Sequence, residues 1–261
     1  MNGIKLTEGI KHLIIINVIL FVAPQIVDVD LTNILALHFP KNEHFGIWQY
    51  VSHMFMHGSF PHILFNMYGL WAFGTPLEQM WGRNKFLFFY FSAGIGAGLI
   101  YTLVNYYQYN NIYDQLINTG ITDNEIANII DISANSAQEF INRCNAILSK
   151  NLKVTFYEGL GDHLFDIRNL YHTPAVGASG AVYGVLVAFG MYFKDAKLAL
   201  IFFPVPIAAK YFIPLILLGD LFFGMTKYSV GNVAHFAHIG GAIIGFILAY
   251  YWKNKQFKRW K

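Results

Sequence analysis

Windows free of Asp, Glu, Lys and Arg recur along this chain at lengths close to that needed to cross a bilayer. They run from His12 to Val27, Leu31 to Pro40, Phe45 to Leu77, Phe86 to Tyr113, Pro174 to Phe193 and Tyr228 to Trp252, while Tyr211 to Thr226 is interrupted by Asp220. A spanning helix needs about 20 mostly apolar residues, and in hydrocarbon every backbone polar group must find its partner within the structure. The Leu31 window is the weakest, and the spanning part of the Phe86 window is expected to end near Tyr107. Six membrane-spanning helices are predicted. Composition agrees, with 55% hydrophobic and 13% charged residues, where a soluble domain has about a quarter charged. The expected fold is an all-α membrane protein, one domain over residues 1–261.

Charge placement gives an orientation. With the N-terminus in the cytoplasm, the inner segments and tail hold Lys5, Lys11, Arg83, Lys85, Lys194, Lys197, Lys210, Lys253, Lys255, Lys258, Arg259 and Lys261, which is 12 of the 18 basic residues. This satisfies the positive-inside rule and puts both termini in the cytoplasm. A net charge of +3 without a long basic run favours contact with membrane lipid and predicts no nucleic-acid partner. The single cysteine, Cys144, excludes an intramolecular disulfide framework and a cysteine-based zinc site. Leu13 to Phe21 runs into Pro24, Gln25 and Asp28 without a small-residue cleavage site, so no cleaved leader is expected there.

Between the third and fourth predicted helices, residues 108–172 carry eight acidic and four basic residues and much Asn. This insertion is expected to lie outside the membrane. Thr122-Asp-Asn-Glu125 and Ser136-Ala-Gln-Glu139 are capping-box signatures. Each precedes apolar residues at helical spacing, Ile126, Ile129 and Ile130, then Phe140, Ile141 and Ile147, which predicts two short amphipathic helices.

Three groups of residues bear chemistry. Gly177-Ala178-Ser179-Gly180 follows Thr173-Pro174 at the start of an apolar helix. Glycines let a substrate backbone approach the hydroxyl, and a helix N-terminus offers unpaired amides. The same small residues also suit close packing of membrane helices. His238, in Ala237-His238-Ile239-Gly240-Gly241, is an imidazole within an apolar helix, expensive there and by default functional or paired. Gly241 and Gly245 imply a close neighbouring helix, and a neighbour starting at Ser179 would form a base-activated serine. His235, three residues earlier, is the competing base. His62 and Asn66, four apart after Pro61, share one helix face and suit an oxyanion. His53, His57 and His62 also raise zinc, but no carboxylate is paired with them and H-E-x-x-H is missing, so no metal is expected.

Taken together, His57-x4-His62-x3-Asn66, Gly177-x-Ser179-Gly180 and Ala237-His238-x-x-Gly241, in this order on the second, fourth and sixth helices, resemble the signature of rhomboid intramembrane serine proteases. The resemblance runs from Trp48 to Gly245 without the insertion, and includes Glu78 after the second helix. It implies a six-transmembrane-helix rhomboid bundle with the polar, partly helical insertion between helices 3 and 4. It implies a serine endopeptidase that cuts transmembrane helices of protein substrates near the outer membrane face, using a Ser-His dyad and no cofactor. Ser179 matches the nucleophile and His238 the base. His62 and Asn66 match the oxyanion hole, with the Ser179 amide. Tyr183 matches a ring that packs on the imidazole, and His57 a support of the outer loop, so that with Gly177 these form the supporting set. The dyad has no third, carboxylate member, and Asp220 stays outside the catalytic set. Trp48-Gln49 stands where the family often has Trp-Arg. The compactness of the chain suggests a multi-pass protein of the bacterial inner membrane. An inactive relative that only binds transmembrane helices is the alternative, although such a binder needs neither Ser179 nor His238.

Overall fold

A computed structural model describes residues 5–151, 154–155, 157–200, 203–226 and 235–258. Most of them are helical. The helices are α1 (Glu8–Val27), α2 (Thr32–Leu35), α3 (Gln49–Ser52), α4 (Phe60–Gly69), α5 (Thr75–Trp81), α6 (Arg83–Asn118), α7 (Asp123–Ile130), α8 (Ala137–Leu148), α9 (Leu160–His172), α10 (Ser179–Tyr192), α11 (Ala209–Met225) and α12 (His235–Lys258). A π-helical turn, Leu70–Gly74, joins α4 to α5, so the backbone is helical from Phe60 to Trp81.

Among the described residues, α1, α6 and α12 are long and apolar enough to cross a membrane. Their outward faces explain why. In α1 a narrow stripe of Ile10, Leu13 and Asn17 is buried, while Ile15, Ile16, Val18, Ile19 and Val22 are exposed. A helix apolar on all sides belongs in hydrocarbon or in a large core. The exposed Leu215, Leu218 and Phe222 of α11 and Ile243, Phe246 and Ile247 of α12 repeat the pattern.

The chain forms two compact units. The first takes in the residues up to Leu37, Gly46–Tyr101 and those from Ala175 onward. Its core holds Leu70, Leu77, Phe86, Phe89, Tyr90, Val182, Val185 and Phe189. Glu78 anchors α1 there. Its buried carboxylate accepts from Thr7 Oγ1 at 2.5 Å and from the amides of Gly9 and Ile10 at 2.7 and 2.9 Å. A carboxylate satisfies the unpaired amides of a helix N-terminus and matches its dipole.

One feature departs from expectation within this unit. The polypeptide between α10 and α11 is an antiparallel hairpin, β1 (Lys197–Leu200) with β2 (Phe203–Ala208), so the fold is not wholly α. Pro204 and Pro206 lack the amide that a helix interior requires. Gln49, where the family often has Arg, is fully buried, with Nε2 at 3.3 Å from Ile34 O and 3.5 Å from Asn33 O. Trp48 Nε1 adds a bond to Ile34 O at 2.8 Å and Ser52 Oγ one to Leu35 O at 2.8 Å. A neutral amide reaches these carbonyls without a charge having to be buried.

The second unit comprises His38–Phe45 and Thr102–Pro174. Three helices after α6, not the two expected, enclose its apolar centre together with Tyr109 and Leu116 of α6. Thr122 and Glu125 form both arms of the capping box of α7, while Ser136 caps α8 and Glu139 accepts from the Asn135 amide. Ile126, Ile129 and Ile130 pack with Phe140, Cys144 and Leu148 and with Leu160, Leu164 and Ile167 of α9.

Candidate active site

Ser179 opens α10, following a segment pinned on both sides. Leu37 and Ala175 exchange amide and carbonyl, each bond 2.9 Å long, and the Gly177 amide donates to His53 O at 2.9 Å. Gly177 has φ of +126°, a conformation that L side chains rarely adopt. A Cβ there would lie 2.8 Å from His62 Nε2 and 3.5 Å from Ser179 Oγ. The bare backbone of Gly177 therefore leaves open the space between these two groups.

The neighbouring helix implied by Gly241 and Gly245 is α10. No Cβ fits at Gly241 against the carbonyl of Gly180, and one at Gly245 would come within 2.5 Å of Gly184 Cα. Small residues at a four-residue repeat let membrane helices meet backbone to backbone. One turn from this contact, His238 Nε2 lies 2.9 Å from Ser179 Oγ. Of the two histidines on that face, His238 and not His235 meets the serine. Tyr183, one turn after Ser179, stacks on the His238 ring with centroids 4.2 Å apart and planes inclined by 10°.

The helix with Pro61 in its first turn brings the other polar groups. Ser59 caps α4 by accepting from the His62 amide. Asn66 is buried and donates from Nδ2 to His62 O at 3.1 Å, one of the two donors of its amide. The His57 and His62 rings meet edge to face at 5.0 Å. His53 turns away, with Nδ1 2.6 Å from Gln49 O. The three histidines thus do not converge on a shared point.

Asp220 lies at the site although it was expected outside the catalytic set. It is 8% exposed, and its Oδ1 is 2.7 Å from His235 Nδ1 and 3.1 Å from His238 Nδ1. In sequence the signal was an acid inside an apolar helix, which needs a partner, but His238 lies 18 residues away on another helix and no periodicity reveals the pairing. Among the described residues, Asp220, His235 and His238 are also the one group of three or more acids and imidazoles whose ligand atoms all lie within 4.8 Å. Hydrogen bonds link those atoms already.

A family model described as Rhomboid domain matches residues 44–122 and 146–255. The chain is 25% identical over 199 residues to Rhomboid protein 1, mitochondrial, of Saccharomyces cerevisiae, an alignment covering 76% of this chain and 39% of the yeast protein. It is 32% identical over 71 residues to Rhomboid protease GlpG of Yersinia pestis and of Yersinia pseudotuberculosis, covering 27% of this chain and 26% of each relative. The alignments thus span well under two thirds of the length of these relatives.

Proposed function

The chain belongs to the rhomboid family, a helical membrane protein by its apolar helices and by that membership, and from this premise we propose that it is an intramembrane serine endopeptidase. The observation that carries the reading is the 2.9 Å contact between Ser179 Oγ and His238 Nε2. A serine hydroxyl is a weak nucleophile until a base within hydrogen-bond reach takes its proton. In the proposed reaction Ser179 attacks a peptide carbonyl as His238 accepts the proton. The oxyanion forms in the space beside Gly177, where His62, the second amide hydrogen of Asn66 and the Ser179 amide would receive it. His238 returns the proton to the leaving amine, and water then releases the acyl group.

The membrane setting follows from helix lengths. We assign the spans to α1, the helical run Phe60–Trp81, α6, α10, α11 and α12, six in all, with residues 108–172 inserted outside the membrane into one rhomboid domain, 1–261. At 1.5 Å per residue the 14 residues of α10 reach about 21 Å, short of the roughly 30 Å hydrocarbon core. With the end of α10 at the inner face, Ser179 sits below the outer surface, in line with cleavage of transmembrane segments near that face. Irregular backbone such as residues 173–178 is tolerated at that depth where it lines a polar cavity. A substrate helix must unwind to expose its carbonyl, which favours residues that are weak helix formers. We place the protein in a bacterial inner membrane with both termini cytoplasmic, and its partners are transmembrane proteins and lipid.

The test is cleavage of a transmembrane substrate by the purified full chain in liposomes, alongside fluorophosphonate labelling. Cleavage and labelling that disappear in Ser179→Ala and His238→Ala support the reading. An equal rate in either variant overturns it. A folded protein that binds transmembrane peptides but neither labels nor cleaves would instead be the inactive binder.

A further inference from the structure

Asp220 is a carboxylate with its side chain 9% exposed, on an apolar helix, and it has no lysine or arginine partner among the described residues. Such a group is costly in the membrane unless several donors reach it. The donors present are His235 Nδ1 at 2.7 Å and His238 Nδ1 at 3.1 Å. An ionised carboxylate only accepts hydrogen bonds. Both imidazoles therefore carry their proton on Nδ1 when they bond to Asp220. For a neutral His238 this leaves Nε2 bare, and Nε2 is the atom 2.9 Å from Ser179 Oγ. The opposite tautomer would turn an N–H toward the serine and could not take its proton.

We propose that Asp220 is a positioning residue that fixes His238 in the Nδ1–H tautomer, so that the site is a line of Ser179, His238 and Asp220 and not a dyad. The inference rests on the proteolytic reading above for its kinetic meaning, but the tautomer it assigns does not depend on proteolysis. Three helices supply the line, α10, α12 and α11. Tyr183 holds the same imidazole from its face, while His235 gives Asp220 a second donor and so holds the carboxylate in place. When the proton of Ser179 moves to Nε2, the imidazolium forms beside a carboxylate and is stabilised by it. The proton then leaves with the amine, and Asp220 stays ionised throughout.

The experiment uses the full chain in detergent or bicelles, with ¹⁵N-labelled histidine, as wild type and as Asp220→Asn, Asp220→Ala and Asp220→Glu. Nitrogen shifts of His238, assigned with His238→Gln, report the tautomer directly. The expected wild-type result is Nδ1–H, with a mixture or the Nε2–H form in Asp220→Asn. In cleavage assays Asp220→Asn should lower kcat by about 10²-fold with little change in KM. That is less than the roughly 10⁴-fold of the soluble serine proteases, because Tyr183 still holds the ring. Asp220→Glu should recover part of the rate.

An Nε2–H tautomer in the wild type overturns the proposal. So does an unchanged kcat in Asp220→Asn, or a kcat loss that only follows a lowered unfolding temperature while the tautomer stays as in wild type. If the wild type shows the Nδ1–H tautomer, loses it in Asp220→Asn and yet cleaves nothing, the assignment of Asp220 stands and the proteolytic reading fails.

Discussion

The carbonyl of Gly180 occupies the place where a side chain on Gly241 would begin, so α10 and α12 touch backbone to backbone one turn from the Ser179–His238 pair. Gly241→Ala should force the helices apart, costing about 1–3 kcal/mol as overpacking does. Displacing reacting groups by about 1 Å lowers rates by about 10²-fold, so cleavage should fall at least that far. Gly219→Ala, on α11 with open space around the added methyl, should leave both unfolding and turnover near wild type. Equal effects of the two variants would refute this account of the interface.

Gly177 has a different reason to be glycine. Alanine there meets a φ of +126° and the His62 ring 2.8 Å away. Backbone strain of this kind costs about 1–3 kcal/mol, and the methyl also fills the space assigned to the oxyanion. We expect kcat to drop far more than thermal stability, measured as turnover and unfolding midpoint on the same preparation.

Glu78 should matter for stability and not for chemistry. Glu78→Ala leaves the Gly9 and Ile10 amides and Thr7 Oγ1 without their acceptor. Hydrogen bonds to a charged group contribute about 1.5–3 kcal/mol each, so the variant should unfold at clearly lower temperature in detergent. Glu78→Gln keeps the shape and one acceptor oxygen, and should fall between it and wild type.

In the second unit, Glu125 accepts from the Thr122 amide at 2.8 Å and from Asn151 Nδ2 at 2.9 Å. The Thr122 amide bond, ahead of the smaller effects of Asn151 and the Thr122 hydroxyl, holds its carboxyl below the ordinary range. A group depressed on folding stabilises above its unfolded pKa and loses that contribution as pH falls through the folded value. The difference in unfolding midpoint between wild type and Glu125→Gln should be full at pH 7. It should shrink below about pH 4.3, the free-glutamate value, and vanish at lower pH.

Cys144, the single cysteine, lies in the core of that unit, and burial pushes its thiol up to about 11. Only thiolate reacts, so iodoacetamide at pH 8 should modify the folded protein about 10²-fold more slowly than a free cysteine of ordinary pKa. Denaturant should restore the ordinary rate. Fast alkylation of the folded chain would contradict this packing.

The helical membrane character was legible because it rests on long charge-free windows, and the starts of α7 and α8 because Thr122 and Ser136 announce them chemically. The third helix of that unit lacks such a cap. Gly159 precedes it without a side-chain cap, so its apolar positions Leu160, Leu164 and Ile167, although at helical spacing, lack the start signal that marks the other two. The hairpin between α10 and α11 was hinted at only by Pro204 and Pro206. At the site, Ser179, His238, His62 and Asn66 carry local motifs. Asp220 carries none, because its partnership with His238 is a fact of helix packing and appears only in three dimensions.

Synthesis order gives the contact of Gly180 with Gly241 another meaning. The serine on α10 leaves the ribosome before the imidazole on α12, and the carboxylate on α11 comes between them. Until α12 docks onto α10, the hydroxyl has no base, so on the proposed reading a nascent chain cannot cut its neighbours in the translocon. The glycine seam then acts as an arming step, in which completion of the bundle and the onset of reactivity are one event.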